Sequence, residues 1–294
     1  MKFGAIDIGT NAARLLVGEV EVVGNHSFVK KISYTRVPLR LGDEVFENGI
    51  ISPKKATDFS KTIQAFKLIA ETFEVRKLRA VATSAMREAL NSQEISAKIK
   101  KESGVTIEVI SGDEEAKLIF GTFFLLDFDK TAPFIVIDVG GGSTEISVFE
   151  NGTRIASKSF QVGTIRLLKG KVATTIWSEI HDWIIQHVDL NSPHKLFGTG
   201  GNINKVHKMI GKSQSQVLDT NAIVKLRDKL DKLTLEERTD KYQLKPDRAD
   251  VIVPAMDIYL YILNELNCTQ ITVPKIGLSD GMIYAMHKEY IATR

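Results

Sequence analysis

Cys268 is the only cysteine in 294 residues, which excludes an internal disulfide and any metal cluster built on cysteine. Long apolar runs are missing too. The densest, Leu118 to Phe128, carries Asp127 and is too short to span a bilayer, so no membrane partner is expected. Charge of one sign is also scarce: the formal net charge is +3 and the pI about 8.7, a mild bias toward an anionic ligand rather than toward a nucleic acid polymer. The lysine pairs at 30–31, 54–55 and 100–101 read as solvated faces. Only two tryptophans occur; Trp177 and Trp183 share one helical stretch and read as packing residues. The chain enters a β-prone run at once, without a basic segment and an apolar one after it, so no secretory signal is read and a cytoplasmic protein is expected. What is present, 43% hydrophobic and 26% charged residues, is the composition of a globular protein large enough for two domains.

Against that background one pattern occurs twice at domain-length separation. Phe3 to Ile6 leads into Asp7-Ile8-Gly9-Thr10-Asn11, and Phe134 to Ile137 leads into Asp138-Val139-Gly140-Gly141-Gly142-Ser143-Thr144-Glu145. In each, a β-prone run delivers an aspartate, small residues follow, and a second β-prone run returns (Leu15 to Val20; Ile146 to Phe149). Two such turns facing each other would offer backbone N–H groups to a polyphosphate while the aspartates hold its metal.

Between and after these turns, strands and helices alternate, which predicts an α/β fold. Residues 52–73 give the clearest helix: Ser52 suits the N-cap, Pro53 the first position, and Ala56, Phe59, Ile63, Phe66, Ile69 and Phe73 fall on one face. Strands are expected at Leu78 to Ala82 and Val105 to Ile110, with helices from Ser84 onward and over Glu114 to Leu126. The second half predicts strands at 134–137, 146–149 and 154–160, a helix at 174–187 and a strand at Lys195 to Phe197. A helix over Asp247 to Leu266, a strand at Gln270 to Val273 and a helix from Asp280 complete the chain. The domain division is expected at about residue 127, giving 1–127 and 128–279, with a helix over about 280–294 packing back on the first.

Asp7 and Asp138 are the candidate metal-holding residues, because a carboxylate ending a buried strand is costly unless it binds something. Thr83, Ser84 and Arg87 place hydroxyls, helix N–H groups and a guanidinium where an anion could bind; a simple N-cap with a solvent-facing arginine is the alternative. Ser111 with Glu114 fits a capping box, which leaves Glu115, roughly 100° further round the helix, as the candidate general base. All three acids there could equally just complement the helix dipole. Glu145 could hold metal, orient water or pair across its strand. Gly198-Thr199-Gly200-Gly201-Asn202 is a third glycine-rich turn, serving either a ligand or tight packing. His181-Asp182 reads as surface.

Taken in order, these motifs resemble the exopolyphosphatase/guanosine pentaphosphate phosphatase family of the sugar kinase, chaperone ATPase and actin superfamily. The resemblance runs through Asp7 to Leu15, Arg40-Leu41-Gly42, Ala82 to Asn91, Ile110 to Gly121, and Asp138 to Glu145. It continues through Gly163 to Leu167, Gly198 to Gly201, Arg248 to Val251 and Gly277 to Gly281. It implies two ribonuclease-H-like domains around an interdomain cleft and Mg²⁺-dependent removal of a terminal phosphate from inorganic polyphosphate or guanosine pentaphosphate. Carried over residue by residue, Glu115 falls on the catalytic glutamate and Glu145 on the acid closing the second phosphate motif. Gly9, Thr10, Asn11 and Arg14 fall in the first phosphate motif, and Gly140, Gly141, Gly142, Ser143 and Thr144 in the second. Arg40, Thr83, Ser84 and Arg87 join them, with Gly200, Gly201 and Arg248 from the third region. Three departures from the family pattern occur: Ala12 replaces a frequent serine, Asp43-Glu44 an expected Glu-Gly, and Ser279-Asp280 an expected arginine-acid pair. A small-molecule kinase with an adenosine site near Gly198 to Asn202, and a non-catalytic guanosine tetra- or pentaphosphate sensor, use the same residues and stay open from sequence. A homodimer is one assembly entertained.

Overall fold

The computed structural model describes residues 1–23, 26–211 and 217–293. In chain order the first half holds β1 (Phe3–Ile8), β2 (Ala13–Val23), β3 (His26–Val37), α1 (Leu41–Asn48), α2 (Pro53–Thr72), β4 (Leu78–Ala82), α3 (Ser84–Glu88), α4 (Ser92–Ser103), β5 (Ile107–Val109) and α5 (Gly112–Gly121). Next come β6 (Phe134–Val139), β7 (Thr144–Glu150), β8 (Thr153–Phe160), α6 (Thr164–Leu168), α7 (Ile176–His187), β9 (Lys195–Thr199) and α8 (Gly201–Ile210). The rest is β10 (Val217–Asp219), α9 (Thr220–Asp231), α10 (Leu235–Tyr242), α11 (Pro246–Ala249), α12 (Ile252–Glu265), β11 (Gln270–Thr272) and α13 (Leu278–Ala292).

The chain divides into two compact units, Met1–Asp127 with Ile276–Arg294, and Phe128–Lys275. Arg294, the end of the helix expected from sequence, lies outside the described residues. The first unit is built on a sheet ordered β3-β2-β1-β4-β5, the second on β10-β11-β9-β6-β7-β8. Each central strand (β1, β6) pairs antiparallel with the strand that follows it and parallel with a later one (β4, β9). The same topology is therefore built twice, with β10 as an added edge. It is the α/β, ribonuclease-H-like architecture of actin-like ATPases.

Central strands are apolar on both faces. Every residue of β1 is buried, and β6 is buried except at Asp138, as expected for strands covered on both sides. Helix α2 starts where Ser52 accepts the Lys55 N–H and Pro53 takes the first position, and it buries Phe59, Ile63 and Phe66. Helix α13 packs on β1, β2 and α5, with His287 and Tyr290 edge-on to Phe3 at 6.3 and 6.4 Å. No helix among the described residues is long and apolar enough to cross a membrane.

Several elements differ from the sequence expectation. The helix expected over Asp247 to Leu266 is broken into α11 and α12 at Asp250-Val251. Pro254 explains the break: it has no N–H for the Asp250 carbonyl, so the helix restarts at Ile252 with the proline inside its first turn. The helix expected over Glu114 to Leu126 ends at Gly121, with a 3₁₀ turn at Phe123–Leu125. Ala89, extended at φ −68° and ψ 122°, divides α3 from α4. The sequence pattern predicts none of β3, α1, α6, β10, α9 and α10.

Candidate active site

In the first unit, Asp7 is the penultimate residue of β1, and Gly9 N–H to Ala12 O (3.1 Å) closes the turn into β2. Asp7 lies in register with Arg14, and Arg14 Nη1 donates to Asp7 Oδ2 at 2.8 Å. The candidate metal carboxylate is therefore neutralised by a neighbouring cation, which permits its burial at 8% exposure. The turn's outer side is tied down as well: Gly42 N–H donates to Thr10 O at 3.1 Å and Arg40 N–H to Asn11 O at 2.9 Å.

The Arg40 backbone is left-handed (φ 50°, ψ 48°). Its guanidinium grips Asp43 through Nε (2.6 Å) and Nη2 (3.0 Å). Two of its five N–H groups are thus spent on an acid that departs from the family pattern. The other departure there, Glu44, accepts from both Ser52 N–H (2.7 Å) and Ser52 Oγ (3.0 Å) and so secures the start of α2.

Thr83 follows β4, where its N–H donates to Ile8 O at 3.1 Å. Thr83 makes no side-chain cap to α3, and Ser84 Oγ donates to Glu88 Oε1 at 3.0 Å. Arg87 does not simply face solvent: its Nη1 donates to Ile110 O at 2.7 Å, just before the cap of α5. That cap is Ser111, whose Oγ accepts the Glu114 N–H at 3.1 Å. Only this half of the expected capping box forms, because the exposed Glu114 carboxylate lies 3.7 Å from Arg79 Nη2. Glu115 is half-buried, with Oε2 shielded from solvent. The two glutamates are thereby separated: Glu114 is a surface ion-pair partner and Glu115 an enclosed carboxylate.

The second unit repeats the arrangement with different charges. Asp138 is penultimate in β6, and its register partner is Glu145, where the first unit has Arg14. Glu145 is 4% exposed, and its Oε1 accepts from Ser143 Oγ (2.7 Å) and Ser159 Oγ (2.6 Å). Gly140 N–H to Ser143 O (2.9 Å) closes the turn, and Thr144 Oγ1 bonds Val162 O at 2.6 Å. All three glycine carbonyls then receive donors from one segment. Thr164 N–H bonds Gly140 O (3.0 Å), Ile165 N–H bonds Gly141 O (2.8 Å), and the buried Arg166 Nε bonds Gly142 O (2.8 Å). With its carbonyls engaged, what the turn presents to a ligand is N–H, the polarity an anion requires. Gly163 makes this contact possible: a Cβ there would stand 2.5 Å from Gly141 C and Gly142 N.

The third turn closes this unit's cluster. Thr199 is the register partner of Asp138. Gly200, at φ +104°, lies so near that a Cβ would be 2.8 Å from Asp138 Oδ1. Arg248 Nη1 donates to Gly201 O and, at 3.3 Å, to Asn202 Oδ1. Of the remaining readings, His181 is an exposed partner of Glu265, while Trp183 is buried and Trp177 packs on Tyr261 at 4.7 Å between centroids.

Ser159 and Arg166 carried no functional reading in the sequence. A signal for Ser159 existed: Asn151-Gly152, both at positive φ, is a two-residue hairpin turn. Counting back from it would put Lys158 opposite Glu145. A bulge at Val148/Phe149 shifts the register and places Ser159 there instead.

The donor chemistry fits a hard divalent cation. Among the described residues no group of three or more His, Cys, Asp or Glu could hold a metal ion. Mg²⁺ does not need one, since it is bound through one or two carboxylates with waters and substrate phosphates.

Comparison with known proteins agrees with this geometry. The model of the Ppx/GppA phosphatase family matches residues 20–290. Exopolyphosphatase 1 of Mycobacterium tuberculosis is 24% identical over 96% of this chain and 87% of its own length. A putative exopolyphosphatase of Haemophilus influenzae is 23% identical over 98% and 92%. Among solved structures, an exopolyphosphatase from Cytophaga hutchinsonii superposes with a TM-score of 0.83 at 24% identity, covering 98% of both chains. The Aquifex aeolicus Ppx/GppA family member gives 0.75 at 22%, covering 99% of this chain and 98% of its own. With nearly its whole length matched, and with two aspartate-led turns in one repeated topology, this chain belongs to the Ppx/GppA phosphatase family.

Proposed function

We propose that this protein is a metal-dependent phosphohydrolase that removes the terminal phosphate of inorganic polyphosphate, with guanosine pentaphosphate as a second substrate carrying the same phosphoanhydride end. One observation carries the reading: both aspartate-led turns have backbone carbonyls tied back by a later segment, so each turn offers N–H groups beside a carboxylate. Phosphoryl transfer depends mostly on such positioning and on electrostatic stabilisation.

In this reading Glu115 is the general base that takes the proton of the attacking water, and Glu145, held by two serine hydroxyls, is the second catalytic carboxylate. The family is divalent-metal dependent; Mg²⁺ is the proposed ion, and when bound it offsets charge on the phosphate oxygens. Asp7, which also engages Arg14, and Asp138 are the residues proposed to hold it. Gly9, Thr10 and Asn11 in one unit, and Gly140 to Thr144 in the other, bind phosphate oxygens. Thr83, Ser84 and Arg87 add hydroxyls and a cation. Arg40, whose guanidinium pairs with Asp43, is a further cation beside the first turn, and Gly200, Gly201 and Arg248 frame the second turn.

The test is phosphate release from medium-chain polyphosphate, guanosine pentaphosphate and ATP at equal concentration, with Mg²⁺ and then with a chelator. Chelator-sensitive release from polyphosphate above the other two is expected. Binding without release, or phosphate transfer from ATP to an acceptor, would refute the hydrolase.

A further inference from the structure

Tyr259 lies in α12 with 1% of its surface exposed, packed within the apolar core of the second unit. Its ring fills space that phenylalanine would fill equally well, so the hydroxyl calls for a separate explanation. That hydroxyl donates to the Thr199 carbonyl at 2.5 Å and accepts the Val139 N–H at 3.4 Å, with the Ile137 carbonyl also 3.4 Å away. The bond to Thr199 is the short one; the other two are long. Ile137 and Val139 flank Asp138, and Thr199 is its register partner on β9. The next residue after Thr199 is Gly200, whose backbone lies against Asp138 Oδ1. A single phenol thus touches the chain on both sides of the carboxylate and the strand end beside it.

We propose that Tyr259 is a positioning residue that locks the ends of β6 and β9 together and so fixes where the Asp138 carboxylate stands. Burial, with the negative charge of Asp138 adding to it, pushes the phenol well above its ordinary pKa. It therefore stays a neutral donor to Thr199 across the working range. The proposal rests on the reading of Asp138 as a metal-holding residue only for its consequence in catalysis; the clamp itself is a property of the metal-free protein.

Tyr259→Phe keeps the ring and removes the clamp. Tyr261→Phe is the control, since Tyr261 Oη makes a comparable bond from the same helix, to Trp177 O at 2.7 Å, away from Asp138. Amide hydrogen exchange of Val139 is read in metal-free protein, and kcat and KM are read on polyphosphate with Mg²⁺. In Tyr259→Phe the Val139 amide should exchange at least ~10-fold faster than in wild type, and kcat should fall ~10–10²-fold with KM within about threefold. Tyr261→Phe should match wild type in both. Wild-type exchange and kcat in Tyr259→Phe would overturn the proposal, as would an equal loss in Tyr261→Phe. If wild type released no phosphate from polyphosphate, the hydrolase reading would fall, while Val139 exchange would still decide the clamp.

Discussion

Replacing Gly163 by alanine should lower activity and stability together. The Gly163 backbone is extended (φ −151°, ψ 167°), so alanine adopts it without strain and the perturbation is purely steric. The new Cβ would stand 2.5 Å from Gly141 C and Gly142 N and 2.6 Å from Gly142 C, against ordinary contacts of 3.4–4 Å. These are backbone atoms, so the turn itself must retreat, by about 1 Å. Overpacking of this size costs about 1–3 kcal/mol. The retreat also stretches the Thr164 to Gly140 and Ile165 to Gly141 bonds that aim the turn. A misplacement of about 1 Å in a phosphate-binding turn should lower kcat/KM by ~10²-fold. Urea denaturation gives the stability change and steady-state phosphate release the kinetic one. Wild-type turnover in a folded Gly163→Ala protein would refute the steric reasoning and the role given to the turn.

Lys31→Met should destabilise the fold in a pH-dependent way. Asp280 is 5% exposed, and its carboxylate lies 2.9 Å from Lys31 Nζ. Burial raises the Asp280 pKa, Lys31 pulls it down, and the net shift is upward. A raised folded-state pKa gives stability that is full below the unfolded value and lost as pH rises through the folded one. Without Lys31 the pKa rises further, so the penalty at pH 7, about 1–3 kcal/mol after allowing for the half-exposed lysine, should shrink toward pH 4. Urea midpoints from pH 4 to 8 check this, and a pH-independent loss would contradict it. Ser111→Ala should cost about 1 kcal/mol by removing the cap of α5, with Ser111→Asp restoring most of it. Equal urea midpoints for wild type and Ser111→Ala would show that this cap contributes nothing.

The doubled strand-turn-strand pattern was legible because short-range chemistry makes it: an apolar run, one aspartate and small residues. Helix α2 was legible for the same reason, its cap and apolar face being local. Strand β3 was hidden because Lys30-Lys31 reads as a solvated pair, whereas Lys31 reaches Asp280 from the far end of the chain. The arrangement around Asp138 depends on register. One bulge decides that Ser159 rather than Lys158 meets Glu145, and bulges leave little trace in sequence. Arg87 read as a phosphate ligand, and its bond to Ile110 emerges only once β5 and α3 are side by side. The break at Asp250-Val251 was available all along, in Pro254.

Glu115 bears the central chemical claim, and Glu115→Gln tests it most directly. Terminal-phosphate release from end-labelled polyphosphate should be measured under single-turnover conditions with Mg²⁺, alongside equilibrium binding of the same polymer. Loss of a general base should slow release by ~10²–10⁴-fold with affinity within about threefold of wild type. A well-folded Glu115→Gln protein that released phosphate at the wild-type rate would contradict the account.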